Sequence, residues 1–221
     1  MEHKGNDAMT LTELETSLYE HLNQFLAKRN FCLMPELYQF RKPTETGFQN
    51  LILTTTRYES ELWVEVNIGV RIDTVENLAQ QFLDVTPEYR KHANTLIISI
   101  GKLSDTKYLR YKIANQEDVF LTVQAIKDFM KGRGFDFLEH NSYIRHLDCL
   151  FNEKPHQPLK YVYNQIHRCF KGAILAKYNN NPHFFKLLDQ YQLQLEKLRP
   201  ATLIMENYIK LANYLVYLSI N

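Results

Sequence analysis

Residues 62–72 constrain the fold more than any other part of this sequence, because aliphatic side chains occupy every second position. The positions between them hold a chemically mixed set that includes Trp63, Glu65, Asn67 and Arg71. Successive side chains of a β-strand point to opposite faces of its sheet. The alternation therefore predicts a strand with one buried aliphatic face and one mixed face.

The preceding residues predict a helix and a strand meander. Thr10 and Glu13 match the capping-box pattern, and apolar residues at helical spacing follow them, which indicates an amphipathic helix ending near Asn30. Three extended segments come next, and turn-sized connections join them as in an antiparallel meander. These segments are residues 33–41, 48–58 and 62–72.

The residues that follow complete a predicted α+β fold. Asp73 is placed to cap a short helix, and residues 95–103 and 108–114 predict a further hairpin. The sheet would then have about five strands. From Gln116 onward the apolar spacing is helical, which indicates one crossing helix and then a C-terminal helical region.

A domain boundary is predicted near residue 138. Gly132-Arg133-Gly134 is the clearest break in the helical pattern, and it predicts a helix stop followed by a turn. We expect a sheet domain over residues 1–137 and a helical region over residues 138–221. The helical region would pack on the sheet or form a small subdomain of its own.

Composition is that of an ordinary globular protein: 221 residues, 45% hydrophobic, 23% charged and a net charge of +1. This balance gives no global attraction to nucleic acid or to an anionic membrane. Cys32, Cys149 and Cys169 are an odd number at wide spacings, which favours a reducing cytoplasm over a disulfide framework. We expect no membrane span, because polar residues interrupt the apolar segment 203–220, and no secretory signal in the polar residues 1–10.

The mixed face of the central strand is the first candidate binding surface. Trp63, Glu65, Asn67 and Arg71 would supply an aromatic anchor, an amide and two opposite charges along one row. If other elements cover that face, the same charges form a structural network instead. The sequence leaves both interpretations open.

A basic interval is the second candidate, because no acidic residue lies between Glu153 and Asp189. The first 137 residues hold 16 bases and 19 acids, and the remainder hold 10 and 6, so the halves carry about −3 and +4. A helix from Leu159 would present basic side chains to an acidic or phosphate-bearing partner. The alternative is a solvated helix face. The residues concerned are Lys160, His167, Arg168 and Lys171.

Self-association is a third hypothesis, carried by the last predicted helix. Five apolar residues there recur at helical spacing and form a seam that a second copy of the chain would cover. They are Ile204, Tyr208, Leu211, Leu215 and Leu218.

Catalytic motifs are not recognisable in this sequence: phosphate-binding glycine loops, nucleophile elbows and zinc-hydrolase helices do not occur. We expect no cofactor and no metal site, since the candidate ligands are too few or point apart along a helix. Those ligands are His146, Cys149, His167 and Cys169. The alternative to a binding protein is a hydrolase or nuclease whose carboxylates meet only in three dimensions. Its scattered acids are Glu65, Asp73, Glu76, Asp105 and Asp118.

A family resemblance covers roughly the first 130 residues. The helix ending in Phe25-Leu26-Ala27-Lys28-Arg29-Asn30-Phe31 and the strand closing in Ile68-Gly69-Val70-Arg71-Ile72-Asp73 resemble bacterial proteins with domains of unknown function. The resemblance implies a bacterial source and supplies no activity or site residue. The leading interpretation is thus a non-catalytic binding or protein-interaction module of the cytoplasm.

Overall fold

The computed structural model describes residues 9–106 and 108–219 and confirms the α+β class. Within them lie six strands of one mainly antiparallel sheet and ten α-helices. The strands are β1 (Cys32–Met34), β2 (Gln39–Thr44), β3 (Gly47–Arg57), β4 (Leu62–Ile72), β5 (Leu96–Ser99) and β6 (Tyr111–Ile113). The helices are α1 (Leu11–Leu26), α2 (Asp73–Ala79), α3 (Pro87–Arg90), α4 (Ile100–Leu103), α5 (Gln116–Phe129), α6 (Phe135–His140), α7 (Ile144–Asn152), α8 (Gln165–Tyr178), α9 (Phe184–Leu198) and α10 (Thr202–Tyr217). Residues 1–8, which carried most of the expectation about a secretory signal, and Ile220 lie outside the described residues.

Sheet order follows the chain from β1 to β5, and β6 also pairs with β4. The register places Leu33 opposite Phe40 in the antiparallel pair β1 and β2, and Trp63 opposite Lys112 in the antiparallel pair β4 and β6. The predicted meander is present, but its first segment, residues 33–41, is not one strand, because a 3-10 turn (Pro35–Leu37) divides it into β1 and β2. The predicted hairpin of residues 95–103 and 108–114 is wrong, because Ser99 caps the short helix α4 directly after β5.

The central strand β4 has the predicted bounds, and its aliphatic face is fully buried. Each of its six aliphatic side chains is at most 1% exposed. Burial of each side chain stabilises the fold by about 1.5 to 3 kcal/mol. A slip of one residue in the strand register would expose all six to water, so their burial fixes the register. The mixed face is half-exposed only at its start, at Trp63 and Glu65, and is buried farther along.

The chain divides into two compact units that interleave along the sequence. The first comprises residues 1–43, 50–68 and 99–136, and the second comprises residues 44–49, 69–98 and 137–221. The predicted domain boundary near residue 138 lies beside the last of these divisions. Two earlier segments also belong to the second unit, so its residues are not all C-terminal.

In the first unit, α1 packs against α5. The capping box predicted at Thr10 and Glu13 is present, and α1 buries four leucines at helical spacing: Leu14, Leu18, Leu22 and Leu26. The helix stop predicted at Gly132 is wrong. A π-helical turn, Met130–Gly134, instead joins α5 to α6 and buries Met130.

In the second unit, α8 is the central helix, and it contacts α2, α7, α9 and α10. Nine consecutive residues of α8, from Arg168 to Ala176, are buried, as expected for a helix with neighbours on all sides. The side chain of Asn164 accepts hydrogen bonds from the first turn of α8, so the helix begins at Gln165. The predicted start at Leu159 is therefore wrong.

Asp73 does not cap α2 in the way the sequence suggested. Ile72 occupies the capping position, and its side chain makes no hydrogen bond there. Asp73 is the first helical residue, and its Oδ1 lies 2.5 Å from Nε of Arg71. A carboxylate in the first turn still suits the positive end of the helix dipole.

Candidate interaction surface

Trp63 lies in a half-exposed aromatic cluster of the first unit. Its Nε1 donates to Oε1 of Glu61 at 2.6 Å, and the Nζ of Lys112 lies 4.6 Å from the indole ring centroid. The Tyr58 ring centroid is 5.1 Å from that of Trp63. Glu65 is paired with Arg110 at 3.6 Å. The cluster is therefore a mixed surface whose charges already have partners in the chain.

Asn67 and Arg71 are not available to a partner, which corrects the prediction of a binding row along β4. Asn67 is 7% exposed and Arg71 is 3% exposed. In the second unit, the Arg71 guanidinium donates to the backbone oxygens of Arg90 and Ala93 and to the side chains of Asp73 and Asn77. A buried guanidinium with this many acceptors holds backbone in place, as the alternative interpretation had it.

Lys171, part of the predicted basic face, is also buried and paired inside the second unit. Its Nζ lies 2.8 Å from Oε1 of Glu76 and donates to the backbone oxygen of Asn94 at 2.7 Å. The two charged side chains are 6% and 2% exposed. Burial, reinforced by the Lys171 charge, lowers the pKa of the half-buried His167, and Glu76 opposes that shift.

Arg168 is also buried, at 2% exposure, and its guanidinium donates to the backbone oxygens of Phe151, Lys154 and Gln157. Lys160 is exposed and precedes the helix. Lys160, Arg168 and Lys171 therefore do not form one solvent-facing stripe, and the expectation of such a stripe is wrong. The reason is that α8 is enclosed by other helices, so its polar side chains find acceptors inside the unit.

Four of the five acids of the hydrolase or nuclease alternative have named partners within the chain, including Glu65 with Arg110 as described above. Asp73 pairs with Arg71, Glu76 pairs with Lys171, and Asp118 accepts from the backbone nitrogen of Ala114. Across residues 9–106 and 108–219, no three His, Cys, Asp or Glu side chains are grouped closely enough to share a metal ion.

The apolar seam predicted on the C-terminal helix is used within the chain. Tyr208, Leu211 and Leu215 are 0% exposed, and the Tyr208 hydroxyl donates to the backbone oxygen of Leu188 at 2.9 Å. The rings of Tyr208 and Phe170 meet edge to face, with centroids 5.3 Å apart. Three of the five predicted seam residues therefore pack on their own unit, and the other two, Ile204 and Leu218, are half-buried.

The last two helices also leave apolar side chains exposed to water. Among the described residues, 17 large hydrophobic side chains are exposed, and eight of them lie between residues 184 and 217. They are Phe185, Leu193, Leu198, Leu203, Ile209, Tyr214, Val216 and Tyr217. Because exposed apolar residues are concentrated in this way at interaction sites, α9 and α10 form the strongest candidate surface.

A groove runs along this surface, and it is called here the α9–α10 groove. Its volume is about 330 Å³. Each helix contributes residues spaced at three, four and seven positions, which place their side chains on one face. The lining residues are Phe185, Leu188, Asp189 and Gln192 from α9, and Ile209, Ala212, Asn213 and Val216 from α10.

Sequence reasoning recognised α10 as amphipathic but missed this groove. Leu188 and Leu211 occur at the same helical spacing as the exposed residues, so the pattern alone did not separate inner from outer apolar positions. One available signal was that apolar residues surround α10 on more than one side. A helix with two apolar faces can pack one against its own unit, and the other then remains available to a partner.

Comparisons with known proteins gave no relative to guide this assignment. No protein-family model matches the chain, and no curated protein or solved structure matches it significantly. The resemblance to bacterial proteins of unknown function therefore stays a prediction. None of the helices in the described part of the chain is both long and apolar enough to span a membrane.

Proposed function

We propose that this chain is a non-catalytic protein-interaction module that binds a second copy of itself through the α9–α10 groove. The observation that carries the proposal is a groove between two consecutive helices that is lined by three exposed large hydrophobic side chains, Phe185, Ile209 and Val216. Association removes such side chains from water, and this is the main favourable term in most protein interfaces.

The shape of the groove favours a helix as the docking element. An amphipathic helix binds a groove through apolar anchors spaced three to four residues apart. Ile209 and Val216, which are seven residues apart on α10, border the α9–α10 groove together with Phe185 of α9. The two helices that form the groove therefore also carry exposed apolar side chains that could bind to the same groove of a second copy.

A second copy is favoured because this surface is suited to a two-fold contact. In such a contact the same patch of both chains meets, so the apolar residues that line the groove of one chain would pack against those of the other. The net charge of +1 imposes little repulsion between copies. Asp189 lines the groove and Lys210 is exposed next to Ile209, so a two-fold copy offers opposite charges that set the register.

The proposed location is a reducing cytoplasm. Cys32 and Cys149 are exposed free thiols, and Cys169 is a buried free thiol. Exposed unpaired cysteines are typical of proteins that work where thiols stay reduced. Burial raises the pKa of the Cys169 thiol to about 12, which makes it unreactive in the folded chain.

The proposal is tested by the mass of the protein in solution. Light scattering or sedimentation from about 1 to 100 µM should show a concentration-dependent rise toward twice the 26.3 kDa monomer mass. Ile209→Asp with Val216→Asp should weaken the dimer about a hundredfold, because each charge would be buried without a partner.

Phe120→Asp with Leu121→Asp provides a matched control. These residues of α5 are 63% and 58% exposed and belong to the first unit, so the change alters surface hydrophobicity without touching the groove. The control should dimerise as the parent does. A parent protein that stays at the monomer mass over the whole range would disprove the proposal.

A further inference from the structure

A cleft of about 560 Å³ in the second unit is independent of the groove. One wall is the end of α7 and the residues after it, including Asp148, Glu153 and His156. The other wall is the beginning of α9, including His183, Lys186 and Leu187. Its volume is in the range of small-molecule sites, which span roughly 300 to 1,000 Å³.

The first wall is held in place by Arg168. This buried guanidinium binds the backbone oxygens of Phe151, Lys154 and Gln157, which lie on both sides of Glu153 and His156. The backbone around these two side chains is therefore fixed before any ligand arrives. Fixing a site in advance lowers the entropic cost of binding.

The second wall is held by Asp148, whose carboxylate is also buried, at 2% exposure. It accepts from the side-chain amides of Asn152, Asn179 and Asn181 at 2.6 to 2.8 Å. Asn181 in turn accepts from the backbone nitrogen of His183 at 2.9 Å. One buried charge thus connects α7 to the segment that leads into α9.

The two walls differ in charge. The α7 wall presents the exposed carboxylate of Glu153 to the cleft, while the two buried charges that support this wall, Asp148 and Arg168, are opposite in sign. On the α9 wall, Lys186 is exposed in the first turn, and no side chain caps the start of this 15-residue helix. The positive end of the helix dipole adds to the Lys186 charge.

We propose that this cleft binds a small zwitterion that carries an ammonium and a carboxylate group, of the amino acid or dipeptide class. Glu153, the exposed carboxylate of the α7 wall, receives the ammonium. Lys186 and the first turn of α9 receive the carboxylate, with His183 as a further hydrogen-bonding group. Leu187 and Pro155, both buried side chains of the lining, face the hydrocarbon part.

Thermal unfolding with a panel of analogues tests the proposal. The probes are the common L-amino acids and their dipeptides, together with N-acetyl forms that lack the ammonium and amide forms that lack the carboxylate. At least one zwitterion should raise the unfolding temperature, since a ligand that binds only the folded state stabilises it. Its N-acetyl and amide forms should bind at least about tenfold more weakly, because each lacks one charged contact.

Two variants assign the binding to this cleft. Glu153→Gln and Lys186→Gln should each weaken binding about tenfold or more, because each removes one charge from the opposed walls. Glu196→Gln and Lys197→Gln are matched controls, since both residues are exposed near the other end of α9 and neither lines the cleft. The controls should bind as the parent does.

Three results would overturn the assignment. One is a panel in which no zwitterion shifts the unfolding temperature. Another is an equal shift by a zwitterion and its N-acetyl form, which would mean anion binding alone. The third is a shift that persists undiminished in both Glu153→Gln and Lys186→Gln. None of these readouts depends on self-association, so this inference and the proposed function can fail separately.

Discussion

Lys171 and Glu76 form a buried ion pair in the second unit. Lys171→Met should destabilise the protein by about 3 to 5 kcal/mol, because it leaves the Glu76 carboxylate, 2% exposed, without a cation. Adding Glu76→Gln should recover most of that loss. Urea unfolding of the parent, both single variants and the double variant measures this coupling.

An exposed ion pair serves as the comparison. Lys112 and Glu61 lie 3.6 Å apart with side chains 61% and 30% exposed, and Lys112→Met with Glu61→Gln should show a coupling below about 1 kcal/mol. If the two single changes at Lys171 and Glu76 simply add, the pair contributes no coupling and the role assigned to it is wrong.

His167 should make stability depend on pH. Its pKa is lowered in the folded protein, chiefly by burial, so the unfolded chain binds a proton more readily than the folded one. Stability from this group is therefore complete above the ordinary histidine pKa of about 6.5 and is lost as pH falls below it. Between about pH 7.5 and pH 5, the free energy of unfolding measured in urea should fall less for His167→Gln than for the parent. Identical pH dependence in the parent and in His167→Gln would show that protonation of His167 is not coupled to folding.

At the scale of elements, two helical glycines should respond to alanine with opposite signs. A Cβ at Gly172 in α8 would lie 2.3 Å from the Tyr191 hydroxyl oxygen, whereas a Cβ at Gly132 would meet nothing within 4 Å. Gly172→Ala should therefore destabilise the protein by about 1 to 3 kcal/mol through overpacking. Gly132→Ala should stabilise it by about 0.5 to 1 kcal/mol through helix propensity. Urea unfolding of both variants under one condition decides the signs.

Periodicity predicted the elements whose burial is regular. β4 has the predicted bounds because one aliphatic face is enough to define a strand, and α1 begins at its capping box. The predicted boundaries are wrong where a single side chain or a local turn decides whether a helix begins, continues or ends. Asn164 delays the start of α8, Ser99 starts a helix where a strand was expected, and a π-helical turn carries the chain through Gly132.

The candidate sites were harder to predict than the elements, because charge alone does not reveal burial. Arg168 and Lys171 are both buried although they stand in the most basic interval of the chain. Their neighbours Ala173 to Ala176 are apolar on every side of α8, and this was the local sign of an enclosed helix. The cleft and the α9–α10 groove join residues from different helices, so no single segment could indicate either.

For the whole molecule, near-neutral charge and a concentrated apolar surface favour association that depends on burial of apolar groups. The net charge is +1, so neither attraction nor repulsion between copies is strong at long range. This distinguishes self-association at α9–α10 from binding to an acidic or phosphate-bearing partner, which would depend on counterion release and weaken steeply with salt.

The dimer should therefore tolerate salt and weaken in the cold. Its dissociation constant should change less than about threefold between 0.05 and 0.5 M sodium chloride, because Asp189 and Lys210 contribute only a solvent-screened pair. It should rise on cooling from about 25 to 5 °C, since apolar association loses driving force at low temperature. Sedimentation at several temperatures and salt concentrations measures both trends. Tenfold weakening by salt without a temperature effect would instead show that ion pairs hold the copies together.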